Sequence, residues 1–420
     1  MKEVAQNKLF AIDNKERLGI IILGVTTMEK RTSAPTKANH LATFRNKVIQ
    51  LIRQEQVTDR NSISSALDIN VSTSKRIVDD LVEEKIVRLL GSAKSTGGRK
   101  ATNIGINPDY GWNICIKVEV NSLIFALTDF LDQVVSEERV PFSKGASFDE
   151  VKPLIKKEIL DLMVYANAKG KNIRGIGFAI SGLASKDAKR LVVSRLLGWS
   201  NINFDREFGS ELRIPVFVEH DVNCAAIAEQ WFGQGKDLST FLLVTIGEGT
   251  GAGIIINKKL YKGSFGGAGE IGHVIFQKDG LPCYCGQKGC LEMYTNEHFL
   301  YSSLKALHPE LSSLTPETLQ ALLKQDPHGV QKILNDYAAN LATGLIGAVM
   351  LIEPEKIIIG GELSYVFNYT KDVIQGIFNE NWINQVNDEE HRVGIVRSTL
   401  GSASFIKGLS VLLVSRALYH

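Results

Sequence analysis

The chain has 420 residues, 44% hydrophobic and 22% charged, an ordinary globular composition long enough for two or three domains. Its net charge of +2 hides a split: residues 28–103 carry 14 Lys and Arg against 8 Asp and Glu, residues 1–27 add +1, and residues 104–420 are left with −5. No apolar run approaches the roughly 20 residues of a bilayer crossing, and the opening MKEVAQNK lacks a secretory signal's basic start and apolar core, so a cytoplasmic chain without membrane insertion is expected.

Residues 1–36 are an extension of unassigned role holding the apolar run LGIIILGV, and Met28 is an alternative start. Residues 37–103 read as a basic head of three helices and a hairpin. Phe44, Val48, Leu51 and Ile52 recur at helical spacing and predict a first helix over 41–54. A second begins near Asn61, and VSTSKRIVDDLVEEKIV predicts a third, with Ile77, Val78, Leu81 and Val82 as its buried stripe. Ser72, Thr73, Lys75 and Arg76 are then left on polar faces near its start, where a recognition helix meets the major groove. The run VRLLGSAKSTGGRKATNIGI has the shape of a wing, whose Lys94, Arg99 and Lys100 can reach phosphates. Helix order, small polar residues and domain charge together point to DNA as partner.

From residue 104 strands and helices alternate, which predicts an α/β body of two lobes, 104–217 plus 401–420 and 218–400. NICIKVEVNSLIFALTDFLDQVV reads as a hairpin of buried strands. PVFVEHDVNCAAIAEQWFG reads as strand, polar turn, helix, delivering Glu219, His220, Asp221 and Asn223 to a strand's carboxyl end, where open α/β sheets place ligands. In FLLVTIGEGTGAGIIIN, Gly247, Gly249, Gly251 and Gly253 alternate; such a loop either admits an anion to its N–H groups or is only a tight turn.

Three of the five cysteines and one histidine converge in GEIGHVIFQKDGLPCYCGQKGCLE. Thiolates and an imidazole at this spacing suit Zn2+, and the set His273, Cys283, Cys285 and Cys290 leaves no position open for a reactive water, so the metal is structural. Disulfides would need an oxidising compartment. Cys115 and Cys224 read as core packing. Glu270 precedes the first ligand and Glu292 follows the last, so a rigid metal loop would hold two carboxylates for the vicinal hydroxyls of a sugar.

These motifs resemble the ROK family of repressors, open reading frames and kinases: GGAGEIGH matches its ExGH signature, CYCGQKGCLE its CxCGxxGC cluster, and residues 40–103 the winged helix-turn-helix of its repressor branch. The resemblance implies an actin-like, two-lobed sugar-kinase-type body behind the head, with the C-terminal helix packed on the first lobe. It also implies zinc on His273, Cys283, Cys285 and Cys290, and sugar contacts from Asp221, Glu270, His273 and Glu292. His220 stands where many members carry a sugar-binding Asn. In the kinase branch an Asp-x-Gly-Gly-Thr loop cradles ATP phosphates; here Lys117 replaces its Asp and Glu119 its Gly. A carboxylate there repels phosphate and side chains block backbone approach, so Gly247, Gly249 and Gly251 read as a vestigial nucleotide loop and the chain as no enzyme. If it were a kinase, Asp221 would be the base.

A sugar-responsive transcriptional repressor is therefore expected, with operator DNA on the head, a sugar or sugar phosphate in the body, and a homodimer or higher symmetric oligomer presenting two heads. The rivals are a sugar kinase with an appended head and a regulator titrated by a sugar-transport partner protein.

Overall fold

The computed structural model describes residues 37–92, 102–381, 385 and 392–419. Its head consists of α1 (Lys37–Glu55), α2 (Arg60–Ala66) and α3 (Val71–Glu83). Asp59 accepts from the Asn61 and Ser62 N–H groups and Asn70 from that of Thr73, so two short polar side chains fix where α2 and α3 begin. The helix expected over 41–54 is longer at both ends. The third is shorter than its apolar pattern, because Lys85 turns left-handed at φ 63° and Val87 already opens a strand.

That strand, β1 (Val87–Ser92), pairs antiparallel with β2 (Thr102–Ile106) to form the wing hairpin. Lys94, Arg99 and Lys100, like the extension 1–36, lie outside the described residues. Ile77, Val78 and Leu81 are buried against Val48, Ile49, Ile52 and Ile63, as their spacing predicts. This core also takes in Phe130, Val414 and Leu418 of the body, so the head does not close its core alone.

In the body, β3 (Trp112–Val118), β4 (Ser122–Asp129) and β5 (Val134–Pro141) form an antiparallel meander. Helix α4 (Phe148–Ala168) follows, started by a Ser147–Glu150 capping box. The chain then runs through β6 (Ile173–Ile180), a small sheet of β7 (Leu183–Ala184), β8 (Arg190–Ser194) and β9 (Trp199–Asn203), and β10 (Val216–His220). The first sheet has order β5-β4-β3-β6-β10, with β3, β6 and β10 parallel. The boundary expected between residues 217 and 218 falls inside β10, which is a strand of this first sheet.

Helix α5 (Asp221–Phe232) leads to the second lobe, with β11 (Phe241–Ile246), β12 (Thr250–Ile256), β13 (Lys259–Leu260), α6 (Glu297–Leu307), α7 (Pro316–Gln325), α8 (Pro327–Ile352), β14 (Lys356–Gly360), α9 (Phe367–Glu380) and β15 (Gly394–Arg397). Its sheet order, β13-β12-β11-β14-β15, repeats that of the first: a meander followed by two parallel strands. Two copies of one topology, each with its own core, make the two-lobed body.

The C-terminal helix α10 (Ala403–Tyr419) lies along α5 between the lobes, so close that a Cβ on Gly408 would sit 1.6 Å from the Cys224 carbonyl oxygen. Cys115 and Cys224 are fully buried in the cluster beneath it. Among the described residues no helix is long and apolar enough to cross a membrane.

Candidate functional site

β10 passes directly into α5 at Asp221, with no polar turn between them. The four residues expected in that turn therefore separate. His220 and Asp221 line a cavity of about 640 Å³ between the lobes, with 3.4 Å between His220 Nε2 and Asp221 Oδ1. Glu219 and Asn223 do not line it: Glu219 accepts from Asn223 Nδ2 at 3.0 Å and pairs with Lys262 of the second lobe. Strand alternation sends neighbours to opposite faces, which a turn would not have done.

The same cavity is lined by Glu270, His273 and Glu292. Glu292 is buried; its Oε2 accepts from the Thr250 N–H at 2.9 Å, while its Oε1 lies buried without a hydrogen bond. The Tyr284 phenol is near enough for the Glu292 charge to add to burial in raising its pKa, but its geometry leaves that oxygen unpaired. An orphaned buried carboxylate oxygen is costly unless a hydroxyl or water meets it. Glu270 is exposed and has no side-chain partner among the described residues. One buried, oriented carboxylate and one free one suit a polyhydroxyl ligand.

His273, Cys283, Cys285 and Cys290 offer ligand atoms all within 4.8 Å of one another. Cys285 Sγ and Cys290 Sγ are 3.6 Å apart, and Cys283 Sγ lies 3.7 Å from His273 Nδ1. The edges of a tetrahedron with Zn–S bonds of 2.3 Å are about 3.8 Å, and none of these cysteines is in a disulfide. The cluster could thus hold a tetrahedral metal. Gly286 and Gly289, at φ 94° and 77°, make the left-handed turns that bring the loop back on itself. Because Nδ1 faces the cysteines, Nε2 is the ring nitrogen left for a ligand.

The glycine loop resolves into two parts. Gly247 to Gly249 is a tight hairpin turn, closed by the Gly247 N–H on the Gly249 carbonyl at 3.0 Å. Gly251 and Gly253 sit in β12, where a Cβ would come within 2.9 Å of Val222 and 2.5 Å of Ala226, so α5 requires them to be small. A Cβ on Gly247 would lie 2.4 Å from Glu362 Oε2, so a carboxylate covers the turn.

Glu362 was not singled out by the sequence. It follows the Gly360–Gly361 pair that ends β14 and binds Lys117 Nζ at 2.9 Å across the cleft; Lys117 also pairs with Glu119 at 3.1 Å. The Lys117 ammonium lies 3.8 Å from the Phe405 ring centroid of α10. Burial would depress its pKa, but Glu362 and Glu119 hold it above the usual lysine value. Burial, and then Glu362, raises Glu297; Glu248 is also raised by burial, partly offset by Lys144. This end of the cavity is thus acidic, with Lys117 as its one buried cation among the described residues, bound to both lobes, and phosphate would meet carboxylates. Lys117→Met is expected to cost about 2 kcal/mol, discounted from the 3–5 typical of breaking a buried pair because Glu362 is half exposed. Urea unfolding would measure it, and an unchanged midpoint would remove the pair's role in joining the lobes.

On the head, Ser72, Lys75 and Arg76 are exposed and Thr73 half-buried at the start of α3; Ser72 Oγ donates to Asn70 Oδ1 at 2.7 Å. Lys75 and Arg76 make no ion pair among the described residues.

Comparison with known proteins follows the same division. Residues 113–414 match the ROK family. The xylose repressor of Bacillus subtilis (strain 168) is 29% identical over 327 residues, 76% of this chain and 83% of that protein. The DNA-binding transcriptional dual regulator NagC of Escherichia coli (strain K12) is 25% identical over 380 residues, 89% and 92% of the two chains. Among solved structures, a ROK family transcriptional regulator, a homolog of the E. coli MLC protein, superposes with TM-score 0.77 at 20% identity, over 90% of this chain and 97% of that one. A ROK family glucokinase from Streptomyces griseus superposes with TM-score 0.60 at 22% identity, over 72% of this chain and 99% of its own. The fold is therefore the two-lobed α/β, sugar-kinase-like body of ROK structures, and the helices and hairpin before it match a winged helix-turn-helix head.

Proposed function

The chain belongs to the ROK family, and from that premise we propose that it is a sugar-responsive transcriptional repressor. The observation that carries the reading is one chain joining a winged head to a carboxylate-lined cavity whose phosphate end is closed by Lys117 and Glu362. Relatives named xylose repressor and DNA-binding transcriptional dual regulator support it and disfavour catalysis.

In this reading Asp221, Glu270 and Glu292 accept hydrogen bonds from sugar hydroxyls, with His220 and His273 Nε2 at their side. Asp221 orients the ligand and has no phosphoryl donor to serve. Zn2+ on His273, Cys283, Cys285 and Cys290 is structural: it fixes the loop that carries Glu270 and Glu292. Ser72, Thr73, Lys75 and Arg76 face the operator's major groove, and Lys94, Arg99 and Lys100 reach its backbone. The head takes residues 37–103, and the lobes meet across α5 and α10. The protein acts in the cytoplasm as a symmetric dimer with two heads on a two-fold operator.

A ligand releases DNA only if it binds the DNA-incompetent arrangement more tightly than the competent one. The test is operator affinity, on DNA upstream of the protein's own gene, titrated with D-xylose, N-acetyl-D-glucosamine, D-glucose and their phosphates. One sugar is expected to weaken binding at least about tenfold, a coupling within the usual 1–3 kcal/mol. Operator affinity unchanged by every sugar that the body binds would overturn the reading.

A further inference from the structure

The head meets the body at a buried charge. Arg53, near the end of α1, has a side chain 2% exposed, and its guanidinium donates to Asp132 Oδ2 at 2.9 Å. Asp132 comes from the turn between β4 and β5, where it holds a left-handed φ of 61°, and its other oxygen accepts from Ser410 Oγ at 2.8 Å. Arg53 also donates to Ser415 Oγ at 2.8 Å, and its planar face lies 4.6 Å from the Trp231 ring centroid. One side chain of the head therefore touches the first lobe, α10 and α5. A solvated surface contact needs none of this, and a planar, permanently charged fork is the group that can serve three partners at once.

The two helices that end at Arg53 begin in the ligand cavity. α5 carries Asp221 at its first residue and Trp231 near its last, about 15 Å apart along a 12-residue helix. α10 carries Phe405, in contact with Lys117 at the cavity, and Ser410 and Ser415 towards its far end. They are in backbone contact between those ends, at Gly408 and Cys224, so neither can shift without the other.

We propose that Arg53 is the positioning residue that seats the head, and that α5 and α10 act as one strut carrying the state of the cavity to it. This rests on the repressor reading for its purpose. A ligand that draws on Asp221 moves the near end of the strut, and the far end holds Arg53 by a ring and two hydroxyls. The buried pair with Asp132 keeps the head attached while its angle changes.

The test is hydrogen exchange on the full-length protein, and it needs no knowledge of the ligand. Asp221→Asn removes a charge from the first turn of α5, a loss that speeds exchange about threefold if the charge–dipole interaction is worth a little over half a kcal/mol. That acceleration is expected at amides 222–232 and also at 48–55 of the head. It should then be lost at 48–55, but kept at 222–232, in two backgrounds. Trp231→Leu leaves the Arg53–Asp132 pair intact, and Arg53→Lys keeps the charge but not the fork. A purely structural role for Arg53 would make the substitutions additive. An Asp221→Asn effect that never reaches 48–55, or that reaches it undiminished in both backgrounds, would overturn the proposal. Failure of the parent to bind operator DNA would instead strike the repressor reading and leave the exchange result standing.

Discussion

Serine in place of Cys290 is expected to strip the metal from the loop and to weaken the cavity with it. Cys290 is fully buried, and the next residue, Leu291, is seated in the second lobe's core so tightly that its Cδ1 lies 2.3 Å from where a Gly344 Cβ would be. Glu292 follows, holding the Thr250 N–H. A metal bound at Cys290 therefore anchors a residue that the core and the cavity both use. Metal binding to a site absent from the unfolded chain is folding free energy, so the loss should be about 3–5 kcal/mol, in the range reserved for named defects such as a lost metal. Bound metal per chain should fall from about one to near zero by mass spectrometry. Affinity for whichever sugar the parent binds should fall at least about tenfold, about 1.4 kcal/mol. Cys285→Ser, at the half-exposed corner of the cluster, should do the same less severely. Full retention of metal in Cys290→Ser would show that this cysteine is not a ligand.

What could be read from the sequence was what lies close in it. The cluster of His273, Cys283, Cys285 and Cys290, which could hold a metal, spans 18 residues, and its spacing alone brings the donors into one neighbourhood. The stripe of α3 follows from helical periodicity: Ile77, Val78 and Leu81 are buried as predicted, while Val82 is half-buried at the edge of that core. The glycines of 247–253 were ambiguous because two causes give the same letters: Gly247 turns a hairpin, whereas Gly251 and Gly253, in β12, make room for a helix.

The partners of Lys117 and Arg53 were not legible. Lys117 stood out as a departure from a phosphate loop, but of the two carboxylates that pair with it only Glu119 is near in the chain; Glu362 is 245 positions away, behind a glycine pair in another lobe. Arg53 looked like one more cation in a basic head, yet its partners lie 79 and 362 positions away. No local pattern marks a buried arginine, since Arg is mostly exposed, and only the packed helices reveal that this one faces inward. The polar turn predicted at 219–223 failed for a related reason. Glu219 and Asn223 look like turn residues, but they bond to one another on the buried side of a strand–helix junction.

Alanine at Gly408 is expected to be among the most damaging single-methyl additions in the body. Its Cβ would lie 1.6 Å from the Cys224 carbonyl oxygen, 2.4 Å from that carbonyl carbon and 3.1 Å from the Ala228 nitrogen. All three are backbone atoms of α5, so no rotamer can yield and the helices must part. Overpacking of this kind costs about 1–3 kcal/mol, set against up to about 1 kcal/mol that alanine gains over glycine in a helix. A net loss of about 1–2 kcal/mol, the upper part of that difference, is expected by urea denaturation because only backbone atoms are met, and Gly408→Val should lose more. Gly347→Ala is the control: it lies within α8 with nothing inside 4 Å of its Cβ, so it should stabilise by about 0.4–1 kcal/mol. An equal midpoint for the two alanine variants would mean that α5 and α10 are not held in contact. If they are, parting them at Gly408 disturbs Phe405 at the cavity and Ser415 at Arg53 together. Gly408→Ala should therefore change both sugar affinity and the exchange of amides 48–55, whereas Gly347→Ala should change neither.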